Sequence, residues 1–182
     1  MTMEREVHPV EKERFEAYIQ VSELMERYYD FETTLSRCKA CPGFAGTWSC
    51  PGFSFEPRAF WAKYSRLHLI VDRLSNRGLP TVEQAQEQLT AQKHRFDREM
   101  LELEKQVEGG YALAAQECME CKKCARLSGL PCLHPDRMRF ALEAIGILVV
   151  DLVADKLGFP VLWSDGVSIP DYYILAGGVL EV

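Results

Sequence analysis

No run of lysines or arginines longer than the pair Lys122-Lys123 occurs in this 182-residue sequence, whose formal net charge is −6. It lacks the cationic stripe that would neutralise phosphates, so nucleic acid is not an expected partner. No stretch reaches the roughly 18 continuous apolar residues of a membrane span. Met1 to Arg14 is charged where a secretory leader would be apolar. A cytoplasmic protein with no membrane partner is expected. Phosphate-cradling loops are missing as well: Gly109-Gly110 and Gly177-Gly178 lack the required flanks and read as a helix stop and a strand bend.

What the chain does have is cysteine, seven in tight spacings. In a reducing compartment such thiols read as metal ligands or redox groups before disulfides. The length suits one domain with its own core, so residues 1–182 are read as a single domain with cysteine loops at 38–57 and 118–135.

Between Glu11 and Tyr29, Phe15, Tyr18, Ile19, Ser22 and Met25 stand at helical spacing, which predicts an amphipathic first helix. A short helical piece is expected around Ala59 to Tyr64. The run Leu67 to Val71 reads as a buried strand. Thr81 caps a long helix whose apolar positions Val82, Ala85, Leu89, Phe96, Met100, Leu103 and Val107 suit packing on a sheet or, less readily, a helix-pair dimer contact. Tyr111 to Ala115 predicts a short strand, Pro135 a helix start, and Ile147 to Leu157 a helix closed by Gly158. Val161 to Trp163 and Tyr172 to Leu180 read as strands. The order implies an α+β fold, a small sheet covered on one face by helices.

In the second cysteine loop, Cys118, Cys121 and Cys124 are separated by two residues each, and Cys132 follows after seven. Three closely spaced thiolates on a turning backbone suit three corners of a 4Fe-4S cubane, with a fourth ligand from farther along. Zinc is the competitor, because four thiolates also complete a structural tetrahedral site. Zinc ribbons, however, usually pair two Cys-x2-Cys knuckles across a longer gap, which favours iron-sulfur here. A ferredoxin places its fourth cysteine after three residues and follows it with Pro; here Pro131 precedes Cys132. Around the loop Lys122, Lys123, Arg126, Arg137 and Arg139 outnumber Glu120 and Asp136, a local excess that would stabilise a negative cluster. His134 reads as a local hydrogen-bonding residue before a ligand.

The first loop repeats Cys-Pro-Gly-Phe at Cys41 and Cys50, with Cys38 ahead of both. Phe44, Trp48 and Phe53 are candidates to shield a centre there. Three thiols leave three readings open: a second cubane with one iron open or bound by another group, a mononuclear metal with a borrowed ligand, or a thiol loop without metal. His68 is a conceivable borrowed ligand, though inside an apolar run it reads first as a satisfied core histidine.

At Cys38-x2-Cys41, Gly46-Thr-Trp48-Ser-Cys50-Pro51, Cys118-x2-Cys121-x2-Cys124, Pro131-Cys132-Leu-His134-Pro135 and Glu143-Ala-Ile-Gly146-Ile147, the sequence resembles a prokaryotic family of predicted metal-binding proteins, a domain of unknown function. The resemblance covers most of the chain after the first helix and implies metal binding through these cysteines, with no established reaction. Where that family tends to carry a basic residue before the Trp, a second Pro after Cys50-Pro51 and an Arg after the last cysteine, this chain has Thr47, Gly52 and Leu133.

Three functions follow as expectations. The first is an iron-sulfur protein that moves electrons or supports a redox partner protein through Cys118, Cys121, Cys124 and Cys132. The second is an enzyme using an open iron at Cys38, Cys41 and Cys50, with Asp165 or Asp171 as acid or base, although both read first as turn acids. The third is a zinc-stapled interaction protein. A thiol-redox enzyme is disfavoured because neither Cys-x2-Cys sits between a strand and a helix. Whether the loops converge into one composite centre, and the oligomeric state, are not legible.

Overall fold

The computed structural model describes residues 11–182; residues 1–10 of the charged stretch read above lie outside them. One antiparallel sheet is built from β1 (Lys12–Gln20), β2 (Arg66–Ser75), β3 (Tyr111–Leu113) and β4 (Tyr172–Glu181), in the order β1-β2-β4-β3. The helices are α1 (Val21–Arg27), α2 (Phe31–Lys39), α3 (Pro57–Trp61), α4 (Val82–Glu104) and α5 (Val149–Leu157). The fold is α+β, and no helix among the described residues is long and apolar enough to cross a membrane.

The expected first helix is instead β1 followed by α1. Phe15 and Ile19, four apart, satisfy a helical stripe, but with Ala17 between them they satisfy alternation equally well. Pairing decides: Phe15 lies opposite Val71 and Ile19 opposite Leu67. Tyr18, assigned to the buried stripe of a helix, is 60% exposed on the other face of the strand.

The sheet is covered on both faces rather than one. Leu67, Leu69 and Val71 of β2 enter a core with Leu24 of α1, Trp61 of α3 and Leu152 and Val153 of α5. Ile70 and Leu74 point the opposite way, into a second core beneath Ala85, Leu89, Phe96 and Met100 of α4. A strand buried on both faces reads as a continuous apolar run rather than an alternating one, as the Leu67 to Val71 segment does.

Thr81 caps α4 as expected, its hydroxyl accepting from the Gln84 N–H at 3.2 Å. The buried stripe of this helix lies on the sheet and includes Lys93, between Leu89 and Phe96. Close approach is permitted by Gly177 in β4. A Cβ there would stand 2.4 Å from the Leu113 carbonyl oxygen and 2.8 Å from the Phe96 ring. Gly177→Ala should therefore cost about 1–3 kcal/mol through overpacking, measurable as a lower urea midpoint.

Two expected elements do not form. At Pro135 the chain makes a turn, in which the N–H groups of Arg137 and Met138 both donate to the His134 carbonyl at 3.0 and 2.9 Å. Val161 to Trp163 is irregular, with Trp163 74% exposed. Both sides of β4 are already occupied, by β2 and β3, so no sheet position beside it is left for that segment.

Candidate metal centre

The second loop leaves the sheet after β3 and returns through the core at Phe140, where the Ala114 N–H donates to the Phe140 carbonyl at 2.9 Å. Within it Cys124 precedes a 3-10 turn over Ala125–Ser128, closed by Gly129 in the left-handed region at φ 68°. That compact turn sets the approach of Cys132. Cys118, Cys121, Cys124 and Cys132 all line one small cavity, walled in part by Trp48, Met138 and His134. All are free thiols. Burial raises the Cys118 pKa; Glu120 acts in the same direction through its charge, while the Glu120 backbone N–H and the charge of Lys93 oppose it. Among the described residues no three His, Cys, Asp or Glu side chains are gathered as a grip for a single ion. The four thiols surround a cavity rather than close on one point.

The first loop begins earlier than its composition suggests, because Cys38 lies in the last turn of α2. Asp30 starts this helix, accepting from the Thr33 N–H at 2.9 Å and from the Thr33 hydroxyl at 2.6 Å. Cys41 and Cys50 flank Gly43: its N–H donates to Cys41 Sγ at 3.4 Å, and its carbonyl accepts from Cys50 Sγ at 3.8 Å. Cys38 is pushed up to about 11 by burial, with the charges of Glu143, Cys50 and Cys41 adding to it. The three expected shields separate: Phe44 is 37% exposed, Phe53 stacks on Phe55 and meets Phe140 edge-on, and Trp48 lines the cavity of the other loop.

The two loops are joined. Arg126 donates through Nη1 to the carbonyls of Thr47 at 2.6 Å and Cys50 at 2.8 Å, and through Nη2 to that of Pro51 at 3.0 Å. Its guanidinium lies 5.4 Å from the Trp48 ring centroid, and the Trp48 indole N–H donates to the Leu130 carbonyl at 3.1 Å. Buried Ser49 accepts from the Cys118 N–H at 2.9 Å and shares a hydrogen bond with Thr47, whose hydroxyl lies 3.2 Å from Cys50 Sγ. A chain of hydroxyls thus connects the Cys50 thiol to the Cys118 backbone N–H. Gly52, at φ 98°, leaves room for Arg126, whose Nη2 would be 2.7 Å from a Cβ. A cation therefore reaches the first loop from the second although Thr47 brings none.

Other candidates fall elsewhere. His68 is on the α4 face of β2, with Nε2 2.8 Å from Glu16 and its ring stacked on Tyr18 at 4.3 Å. Strand alternation points it away from the core that holds Trp61 and the first loop's Phe53, so it is no ligand there. His134 lines the cavity, but Arg137 Nη2 approaches its Nδ1 at 2.7 Å. Asp165 closes an exposed turn, where the Ser168 N–H, the Ser168 hydroxyl and the Val167 N–H hold its carboxyl down at about 2. The Asp171 carbonyl accepts from the Asn76 N–H at 3.0 Å; neither acid lines the thiol cavity. Of the five cations counted around the second loop, Arg137 pairs with Glu120 at 3.3 Å and Arg139 with Glu104 at 2.5 Å, Arg126 is the clamp, and Lys122 and Lys123 are exposed.

Sequence reasoning missed Ser49, Lys93 and Glu143 as members of this region. Glu143 stands in one of the segments that carry the family resemblance, and Lys93 interrupts an otherwise apolar stripe, so each had a signal.

No curated protein and no solved structure matches the chain. A family model described as predicted metal-binding protein, DUF2284, matches residues 28–180. That span takes in both cysteine loops and every strand but β1, and the chain belongs to this family of predicted metal-binding proteins.

Proposed function

We propose that the protein carries a 4Fe-4S cluster on Cys118, Cys121, Cys124 and Cys132 and works in the cytoplasm as a redox or electron-transfer accessory. The observation that carries this reading is the placement of all four thiols around one cavity. Four thiolates complete the protein ligands of a cubane and leave no iron open to substrate, which suits electron transfer. Trp48 and Met138 on the cavity wall limit access of water, and Lys93 adds positive charge near Cys118. The positive charge raises the reduction potential of a negative cluster, whereas exclusion of water lowers it.

The surface over this loop supports a protein partner. Lys122 and Lys123 are exposed beside Leu127, Leu130 and Leu133, which are 59%, 56% and 64% exposed. A basic and apolar patch on a chain of net charge −6 fits a small acidic electron carrier. Lys122→Glu with Lys123→Glu should slow electron exchange with such a carrier about tenfold at low salt, with little effect at high salt. The cluster spectrum should be unchanged; an equal loss at all salt concentrations would place the docking face elsewhere.

The direct test is iron, acid-labile sulfide and zinc per chain in anaerobically purified protein, with EPR of the reduced state. About four irons and four sulfides support the reading, and about eight of each add a centre on the first loop. Stoichiometric zinc with negligible sulfide overturns it and leaves a protein stapled by zinc.

A further inference from the structure

The first loop offers three thiols, and a cubane takes four ligands. We propose that Glu143 is the fourth, its carboxylate completing an iron-sulfur cluster held by Cys38, Cys41 and Cys50. The proposal extends the iron-sulfur reading to a second centre and takes the kind of metal from it.

Geometry supplies the case. Phe31, Thr34 and Cys38 follow at spacings of three and four along α2 and so share one stripe. At the start of that stripe α2 is fixed to the turn carrying Glu143. The Asp30 N–H donates to the Gly146 carbonyl at 2.9 Å, and a Cβ on Gly146 would lie 3.3 Å from Phe31 Cβ. Thr34, next along the stripe, is buried. The 3-10 turn Glu143–Ile145 packs along α2, and Cys38 occupies the far end of the same stripe. Among charged groups, Glu143 acts on the Cys38 thiol ahead of Cys50 and Cys41.

The chemistry agrees. Burial raises the Glu143 pKa, the charge of Glu117 adds to this, and Lys93, whose charge opposes it, is itself paired with Asp97. A carboxylate and a thiolate brought into one region repel each other unless a cation lies between them. Iron of a cluster would be such a cation. Binding would set iron between the two groups and convert repelling anions into two ligands.

A carboxylate ligand also separates the two centres in function. Oxygen holds iron less firmly than thiolate in a cluster, so this fourth iron would be the exchangeable one. The all-thiolate second loop would transfer electrons and the first would accept an incoming donor at one corner.

The test uses the full chain with Cys121→Ser and Cys124→Ser, which removes ligands from the second loop and should leave about four irons on the first. After mild oxidation this parent should keep them. Glu143→Ala should fall to about three irons and show the EPR signal of an oxidised three-iron cluster, while Glu143→Cys should hold about four. Glu143→Gln keeps side-chain shape without the anionic donor and should behave as Glu143→Ala, which guards against misfolding of the smaller variant. Retention of all four irons and an unchanged spectrum in Glu143→Ala and Glu143→Gln would overturn the proposal. So would an unchanged iron content in Cys38→Ser and Cys50→Ser of the otherwise native chain, because the first loop would then hold no cluster. Failure of the second-loop reading shows separately, as native protein that loses no iron on Cys121→Ser.

Discussion

Arg126→Ala should release the first cysteine loop from the second and lower stability by about 2–4 kcal/mol, since it strips charge-assisted donors from three carbonyls at once. The Thr47, Cys50 and Pro51 carbonyls meet one guanidinium, and the Thr47 carbonyl also accepts from the Cys50 N–H at 3.1 Å. Trp48 loses the cation over its ring in the same step. Arg126→Lys should recover only a small part, because an ammonium lacks the planar fork that reaches three acceptors. Hydrogen exchange should rise in residues 43–55, and bound metal should be lost faster on challenge with a chelator, with secondary structure retained. If exchange stays local to Arg126 and metal release is unchanged, the contact is ornamental and the loops are held by Ser49 and Trp48 instead.

How much of this was readable beforehand depended on the range of the interaction. The α4 cap and stripe, the α5 stop at Gly158 and the cysteine spacings are local patterns, and the structure keeps each of them. β1 was misread because Phe15 and Ile19 satisfy two periods, and only pairing with β2, about fifty residues away, chooses between them. The second covered face was illegible for the same reason: α4 announces an apolar stripe but not which side of a sheet receives it. Cys118, Cys121, Cys124 and Cys132 were legible as a group because turning backbone brings close neighbours together. Glu143 was not, since its turn comes beside α2 only through tertiary packing. Arg126 counted as one basic charge among five, whereas its function depends on Gly52, whose missing Cβ admits it.

Lys93→Met should be nearly neutral in mildly acidic solution and destabilising by roughly 3 kcal/mol at neutral pH, a loss in the range for breaking a buried ion pair. Lys93 is 1% exposed, and its Nζ lies 2.5 Å from Asp97, whose other oxygen accepts from the Ala115 N–H at 3.0 Å. This pair sits under the strand that leads into the second cysteine loop. Burial raises the Asp97 pKa, and Lys93 and the Ala115 N–H oppose that shift without cancelling it. An acid whose pKa is raised in the fold contributes fully below its unfolded value and loses that contribution as pH climbs toward the folded value, because the unfolded chain ionises first. Without Lys93 the folded value rises further, and each added unit costs about 1.4 kcal/mol once the pH has passed it. Methionine conserves the buried volume, so packing loss stays small. Urea midpoints of Lys93→Met should therefore diverge from the native protein as pH rises above the ordinary carboxylate range, and adding Asp97→Asn, which keeps an acceptor for Ala115 but cannot ionise, should close the gap. A loss independent of pH, or one that Asp97→Asn does not relieve, would show that Lys93 matters for the packing of its aliphatic stem and not for the charge it places beneath the thiols.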